Sequence, residues 1–243
     1  MLLTNAKGSI PLYMQIKELL VSRISGGQWA PGEVIPSEMQ LALELGVSQG
    51  TVRKAISELV ENNVLTRKQG RGTFVAIHDD QRALFHFFHV VDNDGRKVLP
   101  ESTTLSCRRK RASRIETSKL KLSAGASVVS IERIRKFDGL PTMLETITLP
   151  STPFSDLGKV GACDLPNMLY ELYEKKFGIT VHSAEEKLRA VAASDHDAPL
   201  LNVPPGTPLL EIERVALTLD KTPIELRISR CITDNHHYQN TIF

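Results

Sequence analysis

The chain has 243 residues, of which 41% are hydrophobic and 24% charged, and a net charge of +2. That length suits two domains better than one, and the composition is that of a folded protein in water. A charge so near balance does not by itself argue for nucleic acid, so any such reading must rest on local clusters. The three cysteines, Cys107, Cys163 and Cys231, are scattered and form no CxxC pair. Neither a disulfide framework nor a zinc site is expected, and no metal or cofactor is; a reducing cytoplasm fits. No apolar run approaches the roughly 18 residues of a membrane span, and no signal pattern opens the chain.

Apolar residues at Leu12, Ile16, Leu19, Leu20 and Ile24 predict a helix from about Ile10 to Ser25, with Pro11 at its start and Gly26-Gly27 at its end. WAPGEVIPS is a turn-rich connector. Ser37 is placed to cap a second helix, with Glu38 in its first turn, Met39, Leu41, Ala42 and Leu45 on its apolar side, and Gly46 ending it. Ser48 caps a third helix running to about Asn62, with Val52, Ile56, Leu59 and Val60 inward and Gln49, Thr51, Arg53 and Lys54 outward. Val64–Thr66 and Thr73–Val75 read as two strands around RKQGRG.

This order of elements is suited to laying a helix in the major groove of DNA with a β-wing beside it. Small and polar residues at the start of the third helix let its backbone approach the groove. Gln49 and Arg53 carry the side chains that pair bidentately with adenine and guanine. Ser48 and Thr51 suit phosphates, which fix register rather than sequence. At the wing, Arg67, Lys68, Gln69, Gly70 and Arg71 gather cations around glycine for salt-dependent phosphate affinity. With Ser37, Glu38 and Lys54 these residues form the expected DNA interface. Taken singly, a helix pair is often only a hairpin and a basic loop only a solvated turn; the combination carries the reading.

Segment Pro11–Val75 resembles the winged helix-turn-helix domain of the GntR family of bacterial transcription regulators. The resemblance rests on PLYMQI, W-x-PG-x-x-IPSE, LGVS-x-x-TVR-x-A-x-x-L and QGRGTFV. Family members often carry Arg at the positions of Met39 and Gln49 here, both usual DNA-contacting positions. The resemblance therefore implies an operator that departs from the family's common one, with Gln49 turning preference toward adenine.

A polar segment, residues 78–84, is expected to link the first domain (1–77) to a second (85–243). Past it the pattern changes to strands at Phe85–Val91, Leu99–Cys107, Val128–Phe137, Met143–Leu149, Glu186–Ala193, Leu209–Leu219 and Ile224–Thr233, with a helix at Leu165–Phe177. DGLP is a hairpin turn, and ASDHDAPLLNVPPG holds a short helix and a Pro-Gly turn. The fold class is α+β, dominated in the second domain by antiparallel sheet. The basic run CRRKRASR at 107–114 reads as a solvated strand end, with DNA contact or an import signal as the alternatives.

The second domain carries no GxSxG, HExxH or phosphate loop, so no catalytic residue is expected. Arg133 and Arg135 share one face of a strand, and paired guanidiniums suit a small anion; Glu145 lies on the next strand. A cross-strand Arg–Glu ladder is the alternative.

Residues 84–243 resemble the UTRA domain of the HutC subfamily, an effector-binding module with a chorismate-lyase-like fold. The marks are S-x-x-R-x-R-x-x-DGLP-x-x-x-E-x-x-x-LP, LYELYEKKFGI, PPGTPLLEIERVA and P-I-E-L with Tyr238. The resemblance implies a ligand pocket lined by Arg133, Arg135, Glu145, Glu225 and Tyr170, with His89 as a further candidate. Met168 stands where sugar-phosphate binders usually have Ser, so an organic acid is expected as readily as a sugar phosphate.

Together these imply a homodimeric regulator, a repressor on a near-palindromic double-stranded DNA operator, released by a small anion. A cytoplasmic protein without membrane contact is expected, at the nucleoid when on its operator. An activator of the same architecture, an architectural DNA binder without ligand, or an enzyme using the lyase-like fold are the alternatives.

Overall fold

The computed structural model of the protein describes residues 10–77, 88–157 and 165–240. The chain divides into two units, Met1–Ile77 and His78–Phe243. The segment expected to join them, 78–84, lies outside the described residues.

In the first unit, helix α1 (Leu12–Ser25) starts after Pro11 and buries Ile16 and Leu20. Helix α2 (Glu38–Leu45) opens with a capping box: the Ser37 hydroxyl accepts from the Gln40 amide while the Gln40 side chain accepts from the Ser37 amide. Gly46 ends it at φ +67, a left-handed conformation natural to glycine. Helix α3 (Gln49–Glu61) is capped by the Ser48 hydroxyl, which accepts from the Thr51 amide. Strands β1 (Leu65–Lys68) and β2 (Gly72–Val75) pair antiparallel, and Val34 bridges to Phe74 on the outer side.

Two expectations about helix faces need correction. Met39 is 70% exposed rather than on the apolar side of α2. Leu41, Ala42 and Leu45 occupy one arc of the helix, and Met39 falls on the opposite arc with Leu43. In α3 the fourth buried residue is Ala55, with Val60 only half-buried, because 52, 55, 56 and 59 repeat at helical spacing.

The second unit contains β3 (Val90–Asp92), β4 (Glu101–Arg111), α4 (Arg114–Lys119), β5 (Ser127–Phe137), β6 (Leu140–Pro150), α5 (Leu169–Phe177), β7 (Ser183–Ala192), α6 (Asp197–Leu201), β8 (Pro208–Leu217), β9 (Pro223–Cys231) and β10 (His236–Tyr238). Six strands form one antiparallel sheet in the order β4-β5-β6-β9-β8-β7, and β3 pairs with β10. The β5–β6 hairpin turns on Asp138 and Gly139, with φ of 49° and 77°. Positive φ at both central residues gives the turn whose twist matches the flanking strands.

Both faces of the sheet are covered. On one, α5 sets Tyr170 and Tyr173 against Val129, Ile131, Ile147 and Leu149. On the other, α6 packs Ala198 and Leu201 against Ile134 and Leu144, while Leu120, after α4, meets Val128 and Leu226. Most expected strands are present with boundaries shifted by a few residues; of Phe85–Val91, the described part contributes only the start of β3. Helix α5 begins four residues later than expected, leaving 165–168 non-helical. The basic run at 107–114 is the end of edge strand β4 and its exit: Arg109 donates to the Ser155 carbonyl at 2.9 Å and Lys110 to Glu116 at 2.7 Å. Among the described residues no helix is long and apolar enough to cross a membrane.

Trp29 is the chain's one tryptophan and is buried in the first unit, so its fluorescence reports that unit's unfolding alone. Ser37→Ala removes the α2 cap and is expected to destabilise the unit by about 1 kcal/mol, read as a lower urea midpoint of Trp29 emission.

Candidate DNA interface and effector pocket

At the start of α3, Ser48, Gln49 and Gly50 are exposed, and Ser48 Oγ lies 2.7 Å from Thr51 Oγ1. No Cβ covers the helix at Gly50, so backbone there stands open to a close partner. Arg53 and Arg67 are brought together by one carboxylate. Glu38 accepts from Arg53 Nε at 2.8 Å through one oxygen and from Arg67 Nη2 at 3.1 Å through the other. Arg67 Nη2 also donates to Ser57 Oγ at 3.2 Å. Glu38 thus ties the α3 arginine to the wing arginine, a role its sequence position did not reveal. Because Arg53 is held by Nε, its terminal nitrogens keep the fork that pairs with a guanine edge.

Lys54 and Lys68 rest over aromatic rings, Lys54 Nζ 3.8 Å from the Tyr13 centroid and Lys68 Nζ 4.6 Å from that of Phe74. The wing turn is closed by the Arg71 amide donating to the Lys68 carbonyl at 2.9 Å, with Gly70 at φ +68. Gln69 and Gly70 are exposed at its tip. Arg71, Gln49, Met39 and Ser37 border one open cleft of about 900 Å³ between wing and helices.

In the second unit, the strand register assembles a charged cluster on the sheet face beneath α5. Arg133 on β5 sits opposite Glu145 on β6, which sits opposite Ser229 on β9. Arg227 sits opposite Arg214, and Arg214 opposite Glu186. All but Glu186 are buried. Glu145 accepts from Arg133 Nε and from Arg227 Nη1, the latter at 3.2 Å. Glu225 accepts from Arg227 Nε and Nη2, both at 2.9 Å, and from the hydroxyls of Tyr170 at 3.0 Å and Tyr173 at 2.8 Å. Glu186 accepts from Arg214 Nε at 2.6 Å and from the Tyr238 hydroxyl.

Arg135 stands apart. Its Nη1 donates to the Asn167 main-chain carbonyl at 3.2 Å, beside Arg133 Nη1 at 3.1 Å on the same oxygen. Its Nε is buried with no partner. Burial, seconded by the neighbouring Arg133, Arg227 and Arg214 and opposed by Glu145, pulls its pKa down to about 9. Burial would raise the Glu145 carboxyl, but the surrounding arginines hold it well below the usual carboxylate range. Burial, then Glu225, pushes the Tyr170 hydroxyl up to about 12.

A cavity of about 40 Å³ opens here, lined by Arg133, Arg135, Arg214, Arg227, Asn167 and Tyr170, with Phe88, Leu99, Met168 and Leu169 as its apolar part. Of the expected pocket residues, Arg133, Arg135 and Tyr170 reach it, whereas Glu145 and Glu225 lie beneath and orient the arginines. His89 does not line it. The imidazole packs on Tyr238 at 5.2 Å between centroids, and burial lowers its pKa against the pull of Glu186. Arg227 and Arg214 were missed in the sequence. The strand period would have found Arg227, two residues from Glu225 on the same face, whereas Arg214 needs the β8–β9 register. Among the described residues there is no cluster of His, Cys, Asp or Glu suited to a metal.

Two domain families match: "Bacterial regulatory proteins, gntR family" over residues 12–75 and "UTRA domain" over residues 95–237. The chain belongs to the GntR family of bacterial regulators, in its UTRA-bearing branch. It is 29% identical over 222 residues to the HTH-type transcriptional repressor NagR of Bacillus subtilis, covering 91% of this chain and 90% of that protein. It is 27% identical over 216 residues to the histidine utilization repressor of Pseudomonas putida, covering 86% and 83% respectively. Among solved structures, a ligand-binding domain ascribed to a GntR-family regulator from Bordetella bronchiseptica matches with a TM-score of 0.59 and 39% identity, over 65% of this chain and 98% of that one. This GntR-family chain is therefore a DNA-binding transcriptional regulator with a small-molecule effector domain, and its relatives are regulators rather than enzymes.

Two measurements probe these clusters. Glu38→Ala, which frees both arginines, is expected to weaken operator binding roughly tenfold, read by fluorescence anisotropy on a labelled operator. Glu145→Gln leaves Arg133 and Arg227 short of a counter-charge in a buried site and is expected to lower thermal stability by roughly 3–5 kcal/mol. Because the folded Glu145 pKa is depressed, its contribution is complete at neutral pH and is lost as pH falls from about 4 toward the folded value. The gap between wild type and Glu145→Gln narrows over that acid range.

Proposed function

We propose that the protein is a homodimeric repressor that leaves a near-palindromic operator when a small anion occupies the Arg133–Arg135 pocket. The observation that carries this reading is Arg135, a buried guanidinium with a bare Nε and no carboxylate partner among the described residues. A buried cation that meets only the Asn167 carbonyl and the Phe88 ring, with no carboxylate, is costly and suits a site that an anion completes. Repression is supported by the relatives, NagR and the histidine utilization repressor both being named repressors. DNA reading is assigned to the α3 start and the wing: Gln49 and Arg53 to bases, and Ser48, Thr51, Lys54, Lys68, Gln69, Gly70 and Arg71 to the backbone of the groove. Ser37, Glu38 and Arg67 hold that surface in shape. A homodimer sets two such heads on two half-sites.

The effector releases DNA by binding unequally to the DNA-competent and DNA-free arrangements of the dimer. Helix α5 is suited to pass the signal, because Asn167 precedes it and Tyr170 and Tyr173 anchor it to Glu225.

The test uses an operator selected from random duplexes with the full chain. Arg53→Ala is expected to lose sequence-selective binding while keeping weak, salt-sensitive association; undiminished selectivity would remove α3 as the reader. For the wild type, log affinity should fall by about 0.9 per log unit of salt for each phosphate neutralised. Arg135→Gln is expected to bind operator like wild type yet not respond to the anion that releases wild type. Normal release of Arg135→Gln would remove the pocket from the mechanism.

A further inference from the structure

The charge count of the pocket limits what it can take. Among the described residues, the hydrogen-bonded set around the cavity contains four guanidiniums, Arg133, Arg135, Arg214 and Arg227, and three carboxylates, Glu145, Glu186 and Glu225. The carboxylates are each turned to Arg133, Arg214 or Arg227, so the surplus positive charge resides on Arg135. One negative charge balances it. A phosphomonoester carries about −1.5 to −2 at neutral pH and would leave an excess of negative charge among buried side chains.

The geometry gives the same answer. Arg133 Nη1 and Arg135 Nη1 converge on the Asn167 carbonyl oxygen, while Arg135 Nε, on the other edge of its guanidinium, has no acceptor. Two charged N–H donors thus share one neutral oxygen. The two oxygens of a carboxylate would give each of them a charged acceptor of its own. The cavity of about 40 Å³ is small beside the roughly 300–1,000 Å³ of ligand pockets, so a ligand gains room if the Asn167 carbonyl moves off the two arginines. That residue is lightly fastened: its Nδ2 donates to the Pro100 carbonyl at 2.9 Å, and its Oδ1 is buried without a partner.

We infer that the effector is a singly charged carboxylate which displaces the Asn167 main-chain carbonyl from Arg133 and Arg135. The Asn167 carbonyl is then an internal stand-in that keeps the pocket shut until a better acceptor arrives. This rests on the proposed role of the pocket as the effector site, and it adds the ligand's charge class and its way in.

The test is thermal unfolding of the full chain with two panels at millimolar concentration. One holds monocarboxylates: glycerate, gluconate, glucuronate and urocanate. The other holds glucose 6-phosphate, glucosamine 6-phosphate and inorganic phosphate. A member of the first panel is expected to raise the midpoint, and the second to leave it unmoved. Arg135→Gln should weaken that response about tenfold to a hundredfold, the scale of lost charged hydrogen bonds. Should Arg135→Gln not fold, Arg135→Lys, which keeps the charge and loses the fork, serves in its place. Asn167→Ala, which unties the segment from Pro100, should strengthen the response; an unchanged response overturns the displacement. Stabilisation by phosphomonoesters that needs Arg135 overturns the carboxylate inference and leaves the effector pocket standing. Silence from both panels, or responses indifferent to Arg135, overturns both.

Discussion

The second unit depends on one constraint: four guanidinium groups lie under a helix on the inner face of a sheet, where charge is tolerated only in company. Three find carboxylates through the register of neighbouring strands, and the tyrosines of α5 complete the shell around Glu225. The fourth does not. A cluster neutral to the last charge would be an expensive way to fill a core, and aliphatic residues would fill it as well. Left one short, it is suited to an anion, with neighbouring carboxylates that fix Arg133, Arg214 and Arg227 in defined orientations.

The DNA-facing unit uses the same device in another setting. Glu38 there binds two arginines, Arg53 through one carboxylate oxygen and Arg67 through the other. These pairs are partly exposed, so their energy is small and their geometry is what matters. Lys54 and Lys68 are steadied by aromatic faces instead, which restrains a long side chain without consuming its charge. The recognition surface is thus ordered by ring contacts, one shared carboxylate and two helix caps.

Local chemistry made much of this legible. Ser37 with Gln40, Ser48 with Thr51, Gly46 and the Asp-Gly turn each specify a boundary through groups a few residues apart, and the structure uses them so. Helix faces were less secure, because a methionine on an otherwise apolar helix belongs to either side until the packing is known. Met39 went to the outside. In the pocket, Arg133, Arg135 and Glu145 could be grouped from one hairpin whose turn fixes its register. Arg214 could not, because its place beside Arg227 depends on pairing between β8 and β9 across the sheet. Nor does any sequence rule foretell that a main-chain carbonyl, at Asn167, would occupy the centre of the site.

The basic end of strand β4 has a consequence unconnected with reading DNA. The six-stranded sheet is open, with β4 along one edge and β7 along the other, and open edges offer unpaired backbone to any passing strand. Arg108, Arg109 and Arg111 on β4, and Glu185, Lys187 and Arg189 on β7, are exposed. Charge at an exposed edge holds water there and opposes pairing with another strand. The run read in the sequence as a solvated strand end is set where the sheet's unpaired backbone lies open.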